Sequence, residues 1–215
     1  MKAVIFDLDG VLCSTDDFHY LAWKQLADRE GIPFDRKINN QLRGVSRMAS
    51  LEIILRKARK AYTDEEKEEM ANFKNEVYKS FLSTMGPKDL TKDVSFTLQT
   101  LKSRGFQIAI GSSSKNTKTI LKQLGIIDIF DAISDGTNIT HSKPDPEVFL
   151  KAAEMLGLEP KECCVVEDAY SGIDAAKAGG FTALAIGDAS KYEKADYALT
   201  KLSDLLAIVK EPDEE

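Results

Sequence analysis

Apolar and polar positions along this chain follow two different patterns, and the change comes near residue 87. A short apolar run at 3–6 predicts a buried strand at the start. Apolar residues then recur at helical spacing in three stretches, at about 16–30, 47–60 and 64–83. The last of these is dense in acidic residues, which is typical of a solvated helix face. No segment between 14 and 86 has the pattern of a strand, so this part of the chain is predicted to be all-helical.

Beyond Gly86-Pro87, short continuous apolar runs alternate with amphipathic stretches. The predicted strands are 106–110, 131–133, 163–166, 181–186 and 197–199. The predicted helices are 92–104, 115–124, a helix to about 156 with Asp145 as N-cap and Pro146 in its first turn, 170–178 and 201–209. Continuous apolar strands that alternate with helices are typical of a parallel sheet covered on both faces.

The predicted fold class is therefore α/β, with a Rossmann-like parallel sheet core, helices on both of its faces and an inserted all-helical cap. We place the core at 1–13 and 88–215 and the cap at 14–87. A chain of 215 residues is long enough for one sizeable core and a small second domain.

Composition and charge narrow the function classes. Hydrophobic residues make up 43% of the chain and charged residues 30%, which is ordinary for a globular protein. The net charge of −6 does not favour binding to nucleic acid or to an anionic membrane, both of which attract basic surfaces. No apolar stretch approaches the roughly 20 residues that span a bilayer, and early acidic residues interrupt any signal-peptide core. We expect a cytoplasmic monomer without nucleic-acid or membrane partners.

The three cysteines cannot form a fully paired disulfide framework, because their number is odd. Cys163-Cys164 lies inside an apolar run that is predicted to be a strand. Core thiols in a reducing compartment are the better interpretation.

Two carboxylates, Asp7 and Asp9, follow the first strand with one residue between them. On an extended backbone residues i and i+2 point the same way, so these side chains are expected to crowd one spot. Like charges that close are costly unless a cation or a proton lies between them. Gly10 permits a sharp departure from the strand. A strand followed by an ordinary polar turn is the alternative at this point.

Polar groups also follow the other predicted strands. They are the hydroxyls of Ser112, Ser113 and Ser114, the ammonium of Lys143 before Pro144, and the carboxylates of Glu167 and Asp168. Taken singly, each has a structural explanation: a helix cap, a surface lysine and a polar loop. Ligands of open parallel sheets bind beyond the carboxyl ends of the strands, so the coincidence indicates a site. Oxygen ligands suit Mg²⁺, and neither His19 nor His141 has the spacing of a zinc ligand.

The run Asp7-Leu8-Asp9-Gly10-Val11, the serine turn at 112, Lys143-Pro144 and Glu167-Asp168 resemble the four motifs of the haloacid dehalogenase superfamily. Further residues in the cap are similar to the β-phosphoglucomutase subgroup. They are Thr15, His19, Trp23, Gly44, Val45, Ser46, Arg47, Ser50, Lys74 and Asn75. The resemblance covers nearly the whole chain.

The resemblance implies a role for each motif residue. Asp7 would be the nucleophile that accepts the phosphoryl group, and Asp9 the general acid and base. The Mg²⁺ ligands would be the Asp7 carboxylate, the Asp9 main-chain carbonyl, Asp168, and Glu167 directly or through water. Ser112 and Lys143, with the backbone of Ser113 and Ser114, would bind the transferring phosphoryl group.

The resemblance also implies a second phosphate site in the cap. Arg47 offers a planar fork for bidentate phosphate binding. His19 and Lys74 would meet sugar hydroxyls or help to place Asp9, and Trp23 is either a sugar contact or cap core. A cap that closes would exclude water from the aspartyl-phosphate.

The implied activity is a Mg²⁺-dependent phosphomutase that interconverts β-D-glucose 1-phosphate and D-glucose 6-phosphate, with glucose 1,6-bisphosphate as activator and intermediate. A phosphatase of the same superfamily acting on a small phosphosugar is the alternative. A phospho-accepting signalling domain is a rival from another class. Asp9 and the cap argue against that rival, because a switch needs neither an acid–base group nor a lid.

Overall fold

The structure, a computed structural model, describes residues 1–42 and 45–210. The chain separates into two compact units. One consists of Met1–Ser14 and Gly86–Glu215, and the other is Thr15–Met85. We call them the sheet unit and the helical unit.

The sheet unit is built on six parallel strands: β1 (Ala3–Phe6), β2 (Gln107–Gly111), β3 (Ala132–Ser134), β4 (Cys163–Glu167), β5 (Thr182–Ala185) and β6 (Tyr197–Ala198). Their order is β3-β2-β1-β4-β5-β6, and Phe6 pairs with both Ile110 and Val166. Every residue of β1 and of β4 is buried. Burial on both faces explains why these strands are continuously apolar. The predicted parallel α/β sheet is confirmed.

The helical unit contains α1 (Asp16–Glu30), α2 (Arg36–Asn40), α3 (Arg47–Leu55) and α4 (Asp64–Leu82). Gly31 ends α1 in a left-handed conformation, and a capping box between Thr63 and Glu66 begins α4. The sequence did not predict α2, because five residues are too few to show helical periodicity. The Asp35 side chain caps it by accepting a hydrogen bond from the Ile38 N–H over 2.8 Å.

Four helices accompany the strands of the sheet unit: α5 (Lys92–Ser103), α6 (Thr117–Gln123), α7 (Glu147–Leu156) and α8 (Tyr170–Ala178). Helix α7 begins at Glu147 with Pro146 as its N-cap, so the prediction of Asp145 as N-cap was wrong by one position. The Asp145 carboxylate instead accepts a hydrogen bond from the Glu147 N–H over 2.9 Å.

Two predicted helices differ in length or type. Helix α3 ends at Leu55, earlier than the expected end near residue 60. The segment predicted as a helix at 201–209 is a 3-10 helix, Leu202–Ala207. Its buried residues Leu202 and Leu205 are three positions apart, the spacing that one face of a 3-10 helix repeats.

All three cysteines are free and buried, as expected of core thiols. Burial raises the pKa of Cys163 to about 11 and that of Cys164 to about 12, so both stay protonated at neutral pH. Among residues 1–42 and 45–210, no helix has both the length and the apolar character needed to cross a bilayer.

Candidate active site

Three carboxylates meet at the carboxyl end of the sheet. Asp7 follows β1 directly, and its N–H donates to the Val166 carbonyl over 3.0 Å. Glu167 is the last residue of the neighbouring strand β4, and Asp168 follows it. One carboxylate oxygen from each of these three side chains lies within 4.8 Å of the other two. Because β1 and β4 are adjacent and parallel, residues far apart in sequence converge here.

Lys143 links two of these carboxylates. Its Nζ donates to Asp7 Oδ1 over 2.6 Å and also to Glu167 Oε1. The side chain is only 2% exposed and its Nζ lies 4.7 Å from the centre of the Phe149 ring. Burial lowers the pKa of Lys143, but the charges of Asp7 and Glu167 outweigh burial and raise it above its ordinary value. Lys143 is therefore a buried, permanently charged ammonium.

The pKa of Glu167 is raised above its ordinary value. Burial raises its pKa, the Lys143 ammonium opposes that shift, and the Asp7 carboxylate adds to it. One ammonium for three carboxylates leaves the cluster net negative, so a further cation would stabilise it. Carboxylate oxygens are hard ligands, and the donor set fits Mg²⁺.

Two glycines leave room for the carboxylates. Gly10 has φ +87°, and a Cβ there would lie 2.1 Å from Asp168 Oδ2. Gly172, inside α8, is equally crowded, because a Cβ would lie 1.9 Å from Glu167 Oε1. Gly10 was predicted to permit a turn, whereas Gly172 was not predicted to have a role. Glycine destabilises the interior of a helix. A glycine at such a position therefore indicates that another group packs closely against the helix backbone.

The group of clustered carboxylates among the described residues consists of Asp7, Glu167 and Asp168, and Asp9 is not one of its members. The strand ends at Phe6, and the chain then turns, with the Leu12 N–H donating to the Leu8 carbonyl over 3.0 Å. The rule that residues i and i+2 share a side holds only on an extended backbone. Asp9 is half-buried in this turn.

The serine turn follows β2 and leads into α6. Ser112 is buried and its Oγ accepts a hydrogen bond from the Ser114 N–H over 3.3 Å, while Ser114 Oγ accepts one from the Asn116 N–H over 3.1 Å. Two of the hydroxyls therefore shape the turn itself. The Oγ of Ser113 is buried and has no hydrogen-bond partner within the described residues.

In the helical unit, five predicted or neighbouring polar and aromatic residues form one cluster. Lys74 is buried on α4, and its Nζ lies 2.8 Å from His19 Nδ1. The same Nζ is 4.7 Å from the ring centre of Trp23 and 4.6 Å from that of Tyr78. The Tyr78 hydroxyl donates to Thr15 Oγ1 over 2.9 Å. Tyr78, which lies one helical turn after Lys74, was not predicted from the sequence.

His19 is neutral in this cluster. Burial and the cations of Lys74 and Arg47 lower the pKa of His19 well below its usual range. Because an ammonium only donates hydrogen bonds, Nδ1 accepts, and the proton of the neutral ring lies on Nε2. His19 therefore presents an N–H donor from Nε2. Trp23 is 2% exposed and packs in the core of the helical unit, in agreement with the core interpretation.

The segment before α3 holds several predicted residues. Ser46 is the N-cap, and its Oγ accepts from the Ala49 N–H over 3.4 Å. Ser50 is buried and donates to the Val45 carbonyl over 3.5 Å. These two serines shape the start of the helix. Gly44, also predicted as a site residue, lies outside the described residues.

Arg47 is the first residue of α3. Burial lowers the pKa of its guanidinium, although Glu76 and Tyr78 act in the opposite direction. Within the described part of the helical unit it forms no ion pair with a carboxylate. A cation at a helix N-terminus is destabilised by the positive end of the helix dipole. The guanidinium and the helix N-terminus are both positive, and both therefore attract an anion. Asn75, beside Lys74 on α4, is buried.

A second group of possible metal ligands is His141, Asp145 and Glu147. Glu147 accepts hydrogen bonds from the N–H groups of Thr140 and His141 over 3.0 Å and 2.6 Å. Asp145 accepts from the Glu147 N–H. The two carboxylates therefore hold the loop that carries Lys143 against the start of α7, which is a structural role.

The chain is similar to known proteins over most of its length. The model of the haloacid dehalogenase-like hydrolase family matches residues 1–180. β-Phosphoglucomutase of Bacillus subtilis is 44% identical over 207 residues, covering 95% of this chain and 92% of that protein. The phosphorylated carbohydrates phosphatase of Thermotoga maritima is 29% identical over 222 residues, covering 98% and 99%.

A solved structure gives the same result. The crystal structure of β-phosphoglucomutase from Clostridium difficile superposes with a TM-score of 0.90 at 38% identity, covering 95% of this chain and 93% of that one. Together with the carboxylates at the carboxyl end of the sheet, these matches show that the chain belongs to the haloacid dehalogenase-like hydrolase family, in its β-phosphoglucomutase-like subgroup.

Proposed function

We propose that this protein is a Mg²⁺-dependent sugar phosphomutase that interconverts β-D-glucose 1-phosphate and D-glucose 6-phosphate. The reaction would pass through an aspartyl-phosphate on Asp7 and through glucose 1,6-bisphosphate. The observation that carries the reaction class is the buried pairing of the Asp7 carboxylate with the Lys143 ammonium at the end of β1. The similarity to β-phosphoglucomutases supports the choice of substrate.

Asp7 is the nucleophile in this proposal. One of its carboxylate oxygens forms a bond to the phosphorus atom as the bond from phosphorus to the sugar oxygen breaks. Asp9 donates its proton to the departing sugar oxygen. In the second transfer, a sugar hydroxyl attacks the phosphorus atom of the aspartyl-phosphate. Asp9 takes the proton of that hydroxyl, and the bond from phosphorus to the Asp7 carboxylate breaks.

Lys143 neutralises charge on the transferring phosphoryl group. Phosphoryl transfer depends mainly on positioning and on stabilising negative charge spread over the phosphoryl oxygens. An ammonium that is already buried and fixed needs little reorganisation during the reaction. Ser112 and the backbone of Ser113 and Ser114 would bind the same oxygens.

Mg²⁺ would be held by Asp7, the main-chain carbonyl of Asp9, Asp168 and Glu167. When bound, it would neutralise charge on the phosphoryl oxygens. The three clustered carboxylates and the room left by Gly10 and Gly172 support this assignment.

The helical unit would supply the groups that a mutase needs beyond those of a hydrolase. A phosphomutase must hold a second phosphate that does not react, and Arg47 is a cation without an ion-pair partner in the described part of its unit. His19 would donate from Nε2–H to a sugar hydroxyl, and Lys74 would keep its ring oriented.

A phosphatase acting on a small phosphosugar is the second candidate. The 29% identity to the phosphorylated carbohydrates phosphatase, over nearly the whole of both chains, favours it. Both reactions would use Asp7, Asp9, Lys143 and Asp168, so the sheet unit does not separate them. The difference is the acceptor, which is a sugar hydroxyl in the mutase and water in the phosphatase.

The test follows the fate of the phosphate. The purified protein is incubated with Mg²⁺ and β-glucose 1-phosphate, with and without a catalytic amount of glucose 1,6-bisphosphate. We expect the bisphosphate to activate formation of glucose 6-phosphate strongly, with little inorganic phosphate released. Stoichiometric phosphate release without glucose 6-phosphate would assign the protein to the phosphatases.

A further inference from the structure

Tyr192, which follows the 3-10 helix Gly187–Lys191, holds the first turn of α8 at two points. Its ring stacks on the ring of Tyr170 with centres 4.3 Å apart and an interplanar angle of 4°. Its hydroxyl donates to Asp174 Oδ1 over 2.9 Å. Tyr170 and Asp174 are four positions apart, so the Tyr192 side chain spans one full turn of the helix.

The Asp174 carboxylate is itself fixed from outside the helix. Lys194 donates from Nζ to the same Oδ1 over 2.7 Å, and its Nζ lies 5.4 Å from the centre of the Tyr192 ring. Tyr192 and Lys194 therefore reach α8 together, from one short segment. These contacts form a network rather than a single surface hydrogen bond.

The same segment is hydrogen-bonded to the backbone of the acidic pair. The Ala189 N–H donates to the Asp168 carbonyl over 3.1 Å, and the Tyr192 N–H donates to the Ala189 carbonyl over 2.9 Å. The Ile186 N–H donates to the Glu167 carbonyl over 2.8 Å. Ala189, which forms two of these three bonds, is fully buried.

Asp168 thus lies between two elements that Tyr192 connects. The segment from Ile186 to Tyr192 lies at the Asp168 carbonyl. Helix α8 begins at Tyr170, two residues after Asp168. On its side-chain side the carboxylate fits against Gly10, where even a methyl group would collide with it. A carboxylate in so close a fit tolerates little displacement of its backbone.

We propose that Tyr192 is a positioning residue that holds Asp168 in the geometry needed to bind Mg²⁺. This inference rests on the Mg²⁺ site of the proposed function. Residues behind a metal ligand tune affinity by limiting the positions that the ligand can adopt. Loss of the Tyr192 side chain would free the start of α8 from the segment 186–192 and let Asp168 shift.

The test is isothermal titration calorimetry, in which MgCl₂ is added to the metal-free protein without substrate and the Mg²⁺ dissociation constant is measured. We expect Tyr192→Ala to weaken Mg²⁺ binding by about 10-fold, at the lower end of the effect typical of residues behind a metal ligand. Tyr192→Phe keeps the ring stack on Tyr170 and removes only the hydrogen bond to Asp174. We therefore expect its Mg²⁺ affinity to fall less than that of Tyr192→Ala. The phenylalanine variant also keeps the test valid if the alanine variant does not fold. Tyr197→Ala, a half-exposed tyrosine on the edge strand β6, is the control and is expected to bind as wild type.

Activity gives a second measurement that a merely structural role would not change in the same way. The Mg²⁺ concentration for half-maximal activity should rise in Tyr192→Ala, while kcat at saturating Mg²⁺ stays near that of wild type. Wild-type Mg²⁺ affinity in a folded Tyr192→Ala, or an equal loss in Tyr197→Ala, would overturn the inference and leave the proposed function intact. Failure of the wild-type protein to bind Mg²⁺ would overturn both.

Discussion

The Nζ of Lys143 donates a hydrogen bond to Oδ1 of Asp7 over 2.6 Å, although the two residues are 136 positions apart in the chain. The lysine also binds Glu167, so one buried ammonium joins carboxylates from two adjacent strands. Removing one partner of a buried ionic group leaves the other charges uncompensated. The pairing therefore stabilises the fold and, in the proposed mechanism, fixes a cation beside the nucleophile.

Lys143→Met is expected to destabilise the metal-free protein by about 3–5 kcal/mol, because it leaves two buried carboxylates without their cation. Added Mg²⁺ should recover part of this loss by screening the same carboxylates. Phosphoryl transfer should fall by about 10²-fold or more. Urea denaturation with and without Mg²⁺ measures the first effect, and a coupled assay measures the second. Lys118→Met, an exposed lysine on α6, is the control, and equal behaviour of the two variants would contradict the account.

Gly172→Ala is expected to destabilise the protein and weaken Mg²⁺ binding. The same substitution in an ordinary helix interior stabilises it by up to about 1 kcal/mol, so the sign of the change is diagnostic. Here the added methyl group would lie 1.9 Å from Glu167 Oε1 and force that carboxylate to move. Thermal unfolding and MgCl₂ titration check both effects. Ser171→Ala, at the preceding position, removes a hydroxyl without a described partner and should be neutral or slightly stabilising.

Several of these features could be predicted from the sequence and others could not. The continuous apolar strands predicted the parallel sheet, and the polar residues that follow four of the strands predicted a site at its carboxyl end. The sequence placed the domain boundaries after residues 13 and 87, and the compact units divide after Ser14 and Met85. The hydrogen bonds of Lys143 to Asp7 and Glu167 could not be predicted from the sequence. They depend on the order of the strands and the path of the loops, which the local pattern of residues does not determine.

Other features depend on structure that the local pattern of residues does not contain. Asp7 and Asp9 were predicted to point the same way on the assumption that the strand continued, but the strand ends at Phe6. The close approach of Gly172 to Glu167 depends on how α8 packs against β4, which no residue pattern within the helix reveals. Tyr192 lies outside every motif and reaches α8 only through tertiary structure.

Arg47→Ala is expected to weaken the mutase reaction much more than phosphorylation of Asp7 by acetyl phosphate. Loss of a charge-assisted bond worth about 1.5–3 kcal/mol corresponds to a fall of about 10- to 150-fold in kcat/KM. Acetyl phosphate has no second phosphate, so its reaction should be nearly unchanged. Steady-state assays with both substrates give the comparison. Arg56→Ala, at the other end of α3, should affect neither, and equal losses with both substrates would exclude a second-phosphate role for Arg47.

The stability contribution of Glu147 is expected to depend on pH. Lys151 and the N–H groups of His141 and Thr140 lower the pKa of Glu147 from 4.5 to about 2. A carboxyl group whose pKa is depressed by folding stabilises the fold above its ordinary pKa, and this contribution is lost as the pH falls from about 4.5 towards 2.

Glu147→Gln should therefore lower stability at neutral pH, and the difference from wild type should shrink below pH 4.5. Urea denaturation at a series of pH values measures it. Glu154→Gln, an exposed residue on the same helix, should show no such trend. A difference that stays constant across this pH range would show that Glu147 acts through its shape rather than its charge.

The central claim is that Asp7 passes a phosphoryl group from one sugar molecule to another, and an isotope crossover experiment tests it most directly. The protein is given a mixture of unlabelled β-glucose 1-phosphate and β-glucose 1-phosphate labelled with ¹³C in the sugar and ¹⁸O in the non-bridging phosphate oxygens. Transfer through Asp7 predicts crossed glucose 6-phosphate, in which ¹³C sugar carries unlabelled phosphate and unlabelled sugar carries ¹⁸O phosphate, and Asp7→Asn should abolish it. Glucose 6-phosphate that keeps both labels together, or ¹⁸O found only in free phosphate, would contradict the account.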